Sequence, residues 1–111
     1  MKGKVLKFRK KYKDKIISGK KTTTIRLETK LKPGDTVFVK AGNETIGTAK
    51  IIGVTDRKLK DLTEEDAGLD GFRNLKELRA ELKDIYGPLN EETTLKLVRF
   101  RFKPKATDKD M

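Results

Sequence analysis

The sequence predicts an α+β fold, a mixed and closed or nearly closed β-barrel with short helices over its ends. Three observations carry this. Short segments of period-2 alternation recur along the chain, interrupted by small helical patterns. Only residues 74–86 show the apolar spacing of a longer amphipathic helix. The 111 residues, 34% of them hydrophobic, suffice for one core and one domain.

Val5 to Phe8 reads as a first strand, and Tyr12 to Ser18 as a short helix with Tyr12, Ile16 and Ile17 turned inward. Gly19 fits the left-handed stop that follows a helix. Lys21 to Arg26 is rich in β-branched residues and reads as extended. Pro33-Gly34-Asp35 makes a turn into the alternating strand Thr36 to Lys40. Asn43-Glu44 turns the chain into a strand from Thr45 to about Val54. A one-turn helix starts at Thr63, whose hydroxyl can cap and which has Asp66 three residues on. Asn74 caps the main helix, Glu77 completes its capping box, and Leu75, Leu78, Leu82 and Ile85 form its apolar face. Gly87-Pro88 ends that helix. Leu95 to Phe102 is the last strand, with Val98, Phe100 and Phe102 on one side and Arg99 and Arg101 on the other. The domain is expected over 1–103, with 104–111 a polar, disordered tail.

Charge is distributed unevenly. Residues 1–40 hold 14 of the 28 Lys and Arg but 3 of the 17 acids, so the net +11 lies entirely in this third. Such a field attracts polyanions. There is no cysteine, which excludes disulfide and thiolate chemistry, and no histidine, the commonest general base and metal ligand. Acid–base chemistry must therefore use Lys, Asp, Glu or Tyr. No cofactor or metal is expected, because the one tight acidic run, Glu64-Glu65-Asp66, reads as a first helical turn. The apolar runs are too short to span a membrane, and no apolar stretch follows the basic start as a signal peptide requires, so a cytoplasmic location is expected. Abundant Lys and Glu with no glutamine is the pattern of proteins from hot environments.

The run Gly19-Lys20-Lys21-Thr22-Thr23-Thr24-Ile25-Arg26 sits inside the basic third. In an extended segment, 22, 24 and 26 share one face, and 21, 23 and 25 share the other. Thr24 and Arg26 thus point the same way, and Ile25 can anchor the strand. Lys21, beside Gly19, can bend toward the Thr24 side. A cation and a hydroxyl facing a cleft can hold a phosphate or a polarised carbonyl oxygen. The plain alternative is an ordinary Thr-rich strand with a solvated lysine.

This segment resembles the G-x-K-x-x-T-x-R signature of the ASCH (activating signal cointegrator homology) domains. Leu31-Lys32-Pro33-Gly34-Asp35-Thr36-Val37 is similar to that family's turn into the next strand, and Asp70-Gly71-Phe72 to the E-G-F that precedes its downstream helix. The resemblance covers roughly residues 4–102. It implies a PUA-like barrel related to RNA-binding domains. Some small bacterial members are amidohydrolases that deacetylate 4-acetylcytidine with a Lys, a Thr and a Glu. Carried over, these fall on Lys21, Thr24 and Asp70, where aspartate stands one methylene short of the family's glutamate. In that role Lys21, its pKa lowered by neighbouring cations, would help activate Thr24, and Asp70 would orient water or shuttle a proton. The alternative for Asp70 is a turn or helix-cap residue.

Arg9, Lys10, Lys11, Tyr12 and Lys13 form a second candidate, cations to neutralise phosphates with Tyr12 available for stacking; Lys20, Lys21 and Arg26 extend it. A solubilising face is the alternative. Arg99 and Arg101 read as the outward face of a barrel strand, Tyr86 as core, and Phe100 and Phe102 as core rather than stacking platform. The expected partner is RNA or a nucleoside or nucleotide. The expected function is a binding module, with a metal-independent amidohydrolase acting on an acylated nucleoside as the alternative. The sequence carries no signal of oligomeric state.

Overall fold

The computed structural model describes residues 4–105. Five strands, β1 (Lys4–Phe8), β2 (Thr23–Arg26), β3 (Thr36–Ala41), β4 (Glu44–Lys58) and β5 (Thr94–Pro104), form one sheet in the order β1-β3-β4-β5-β2. β1 runs parallel to β3, and the other pairings are antiparallel. Three helices, α1 (Lys13–Ile17), α2 (Glu64–Leu69) and α3 (Leu75–Tyr86), interrupt the strands, with single 3₁₀ turns at Lys10–Tyr12 and Leu59–Asp61.

The sheet curls into a half-barrel. Its backbone ladder leaves β1 and β2 as two edges. One side chain crosses from edge to edge: Arg26 Nη2 on β2 donates to the Lys7 carbonyl on β1 at 2.8 Å. The curl holds one core and carries a second outside it. Leu6, Phe8, Ile16, Val37, Val39, Ile51, Val98 and Phe100 fill the concave side. Ile25, Leu95 and Leu97 belong to the opposite face and meet Leu59, Leu62, Leu78 and Leu82 beneath the helices. Phe72, between α2 and α3, packs against both cores.

Local chemistry places the ends of these elements. Thr63 and Asp66 form a full reciprocal cap on α2: Asp66 N–H donates to Thr63 Oγ1 at 3.1 Å, and Thr63 N–H to Asp66 Oδ2 at 2.9 Å. On α3, Asn74 Oδ1 accepts from Glu77 N–H at 2.8 Å as expected, but the Glu77 carboxylate accepts from Arg73 N–H instead of closing the box on Asn74. Gly19 takes φ 83° after α1, the left-handed stop.

Four elements differ from expectation. Ile17 is exposed, because a five-residue helix turns only Ile16 into the core. Ile85, near the end of α3, is likewise exposed. β4 runs on to Lys58 because its pairing with β5 continues past the last apolar alternation, through a bulge between Ile51 and Gly53. β5 includes Pro104, and Lys105 N–H donates to the Ile46 carbonyl at 3.0 Å. The rest of the expected tail, 106–111, lies outside the described residues.

Candidate functional site

Lys21 is fixed by backbone before its side chain acts. Its N–H donates to the Lys15 carbonyl at 3.0 Å, and the next N–H, of Thr22, to the Leu69 carbonyl at 2.8 Å. These bonds tie the β2 lead-in to α1 and to the C-terminus of α2. The Lys21 side chain, 3% exposed, then enters a chamber walled by the rings of Phe8, Tyr12 and Phe72, whose centroids lie 5.7, 4.9 and 5.8 Å from Nζ. Three ring faces around an ammonium offset part of its lost hydration. The ammonium pairs with Asp70 Oδ1 at 3.0 Å and donates to the Asp70 carbonyl at 3.0 Å.

Asp70 closes α2 and is itself buried. Its Oδ1 also accepts from Thr23 Oγ1 at 2.9 Å. Gly71 then turns the chain away with φ 92°, a region that disfavours any side chain, and a Cβ there would stand 3.2 Å from Lys21 Cβ. Lys15 Nζ locks this turn by donating to the Gly71 carbonyl at 2.8 Å. Burial pushes the Asp70 carboxyl up and the Lys21 ammonium down, each against the pull of its partner. A proton held in this pair is therefore less firmly assigned to the amine than in water.

Thr24 and Arg26 face the concave side, as strand alternation requires. Arg26 Nε donates to Thr24 Oγ1 at 2.9 Å, and the guanidinium lies over Phe8 at 5.3 Å. The Thr24 hydroxyl proton is left to donate elsewhere. Lys21, Thr24, Arg26 and Asp70 line one cleft of about 130 Å³, with Arg9 and Glu81 at its rim. That volume is small beside the roughly 300–1,000 Å³ of sites that swallow a whole drug-sized ligand. It admits one functional group or one edge of a base. A hollow of about 350 Å³ between Leu59, Arg79, Pro88, Leu89 and Glu91 is larger but holds no predicted site residue.

The predicted residues thus divide. Lys21, Thr24, Asp70, Arg26 and Arg9 come together at the cleft. Tyr12 does not offer a free ring for stacking: it is 7% exposed, edge-on to Phe72, and serves as a wall of the lysine chamber. Arg9 pairs with Asp84 at 2.8 Å, and Lys11 with Glu81 at 2.9 Å, so α3 supplies acids to this part of the basic cluster. Lys13 pairs with Glu44 at 2.9 Å, at the hairpin between β3 and β4. Lys10 and Lys20 are exposed, and Lys20 lies beside Gly68 and Arg73, away from the cleft.

Sequence reasoning missed Thr23, Phe72 and Glu81. Thr23 shares the Lys21 face in the strand alternation, and that signal pointed to Asp70's second partner. Glu81 stands three residues after Leu78 on the buried face of α3, and its Oε2 is buried without a well-directed hydrogen bond. Phe72 carried no signal beyond its apolarity. Among the described residues no cluster of acids is placed to hold a metal ion, and no helix is long and apolar enough to cross a membrane.

The curled five-stranded sheet with its short helices has the PUA-like α+β fold, and it carries a polar cleft with a guanidinium across its edge seam and a buried lysine–aspartate pair. Residues 3–103 match the sequence model of the ASCH domain, and the chain belongs to the ASCH domain family. That family is PUA-like and is proposed to bind RNA. The fold is similar to that of an ASCH domain from Lactobacillus crispatus JV V101, with TM-score 0.74 and 18% identity over 80% of this chain and 68% of that one. A protein from Enterococcus faecalis V583 aligns with TM-score 0.72 and 17% identity over 94% of this chain and 82% of that one. ASCH from Zymomonas mobilis aligns with TM-score 0.65 and 18% identity over 87% and 65%. At these identities the likeness establishes the fold. No curated protein sequence matches the chain.

Proposed function

We propose that this ASCH domain is an RNA-binding module whose Lys21–Thr24–Arg26 cleft receives one nucleotide. One observation carries the reading: an ammonium, a hydroxyl, a guanidinium and a carboxylate converge in a cleft sized for the edge of a base, with Arg9 at its rim. Donors and acceptors held by buried partners suit the polar edge of an unpaired base. The basic stretch Arg9–Lys13 supplies phosphate contacts through exposed Lys10 and through cations that can exchange an acid for a phosphate. Affinity for single-stranded RNA should fall linearly with salt on logarithmic axes. Lys10→Glu with Lys11→Glu should weaken binding across sequences and flatten the salt slope by about 1.4, the counterion release of two phosphate contacts. Binding that ignores salt, or no binding to any RNA oligomer, would refute the reading.

The same convergence supports a second reading, an amidohydrolase acting on an acylated cytosine nucleoside. Lys21 would polarise the acyl carbonyl, Thr24 would present its hydroxyl to the acyl carbon, and Asp70 would carry the proton to the departing amine. The Thr24 oxygen bonds the acyl carbon as the C–N bond breaks and the amine takes the threonine proton; water then cleaves the threonine ester, which restores the hydroxyl and releases acetate. Deacetylation of 4-acetylcytidine should survive a chelator and disappear in Lys21→Ala and Thr24→Ala. Intact substrate after prolonged incubation would overturn this alternative and leave the binding reading standing.

A further inference from the structure

The convex side of the sheet is half covered. Helices α2 and α3 cover the β2 side and the first part of β5, where Ile25, Leu95 and Leu97 are buried. Thr23 pairs across the ladder with Arg99, and no β5 residue beyond that row belongs to the core beneath the helices. What remains open follows from the register. Val5, Phe38, Thr48 and Lys103 form one row across β1, β3, β4 and β5. Thr36, Lys50 and Arg101 form the next, and Lys7, Lys40 and Thr45 another. Partners in a row share a face, so these side chains emerge on one surface.

That surface has two properties. It gathers six cations, Lys7, Lys40, Lys50, Arg99, Arg101 and Lys103, and none of them pairs with an acid among the described residues. No acid stands in the three rows; the nearby Asp35 is held by Lys4 at 2.8 Å. In contrast, Arg9, Lys11 and Lys13 around the other side all have acidic partners. Secondly, exposed apolar groups sit among these cations: Phe38 is 46% exposed, and its row partner Val5 is 49% exposed. Ile52, on the β4 bulge, is 40% exposed. An aromatic ring left in water at the middle of a strand, ringed by free cations, has no role in the core beneath it.

We propose that this open convex face is a second contact surface, and that its partner is single-stranded RNA. Charge complementarity selects the partner: six cations with no acid partner among the described residues fit a phosphate backbone, and they oppose a second copy of the same face. Arg99, Arg101 and Lys103 run along β5 with a spacing of about 6.7 Å, two strand residues, and form a track along which a backbone can lie. Phe38 offers a ring to one unpaired base, which a duplex would not provide. A groove of about 490 Å³ bordered by Ile17, Thr22, Ile52, Leu69, Arg99 and Arg101 takes the strand off the sheet. Lys7 belongs both to this face and to the rim of the cleft, so one strand can reach from one to the other. The proposal rests on the reading that the ligand is RNA, but on different residues.

The test measures the anisotropy of a labelled single-stranded RNA of about 15 nucleotides, a length within the range that single-strand sites span. Phe38→Ser should weaken binding about tenfold. Lys50→Glu with Arg101→Glu should weaken it further and flatten the salt slope, whereas an RNA duplex should compete poorly. All three positions are exposed, and unchanged circular dichroism and melting temperature verify the fold. If wild type binds RNA and these variants bind equally well, the convex surface is overturned and the cleft reading stands. If wild type binds no RNA, both fall. Wild type sedimenting as a dimer that Phe38→Ser dissociates would give the face to a second copy and overturn the proposal.

Discussion

Lys21–Asp70 and Arg9–Asp84 are both lysine- or arginine-to-aspartate pairs with nitrogen–oxygen distances near 3 Å, 3.0 and 2.8 Å. They lie at opposite ends of the physical scale. The first is shut behind three aromatic rings, with both side chains buried. The second stands in water. Distance alone would rank them as equals. Burial separates them: desolvation drives the Asp70 carboxyl up, whereas the arginine hydrogen bond draws the Asp84 carboxyl down. A fully hydrated pair contributes little to stability, because water and salt already solvate each charge. A buried pair is costly to form and costlier to break on one side. The fold therefore spends stability at the cleft and gains little at the basic rim.

Breaking the pair should produce the largest effect. Lys21→Met leaves Asp70 buried without its cation and should cost about 3–5 kcal/mol at neutral pH, measured by chemical denaturation. Adding Asp70→Asn removes the stranded charge while its side-chain carbonyl still accepts from Thr23, so the double variant should recover most of that loss. A double variant no more stable than Lys21→Met would show that the pair is not the energetic unit. Gly71→Ala comes next. It places a Cβ at φ 92° and within 3.2 Å of Lys21 Cβ, and should cost about 1–3 kcal/mol. Because the strain falls on the lysine chamber, RNA affinity should fall with it. An alanine variant as stable as wild type would mean that the turn relaxes at no cost.

The same contrast explains what could be read in the chain. Strand alternation and helix spacing report burial of apolar groups, and they located β1, β3, α3 and the concave side of β5. The Thr63–Asp66 cap was legible because capping is local chemistry. The convergence of Lys21, Thr24 and Asp70 was visible only through family resemblance, since it joins residues 49 apart and depends on how α2 meets β2. Charge was the least faithful guide. The excess in residues 1–40 pointed to that third of the chain as the part that attracts polyanions, but Lys4, Arg9, Lys11, Lys13 and Lys21 each find an acid in the fold. Meanwhile Lys50, Arg99, Arg101 and Lys103, in the part of the chain with no net charge, emerge together. Sequence gives the sum of the charges; pairing across the sheet decides where the sum is felt.

The smallest predicted effect discriminates best between the two kinds of pair. Arg9→Met should leave melting at neutral pH nearly unchanged, and any deficit should vanish in high salt. The pH windows differ as well. Asp84 has a depressed folded pKa, so its contribution is complete above the ordinary carboxylate value of about 3.9 and disappears as pH falls through the depressed one. The small Arg9→Met deficit is therefore complete above about 3.9 and is lost only below it, as pH falls through the depressed value. Asp70 has a raised folded pKa, so its favourable contribution is complete below about 3.9 and disappears as pH rises through the raised value. Removing Lys21 raises it further, so the Lys21→Met deficit should close on acidification before the Arg9→Met deficit begins to change. Salt should not move the first deficit and should erase the second. Melting curves of both variants against pH, at low and high salt, read this order directly; deficits that close together would place both pairs in the same environment, contrary to the geometry.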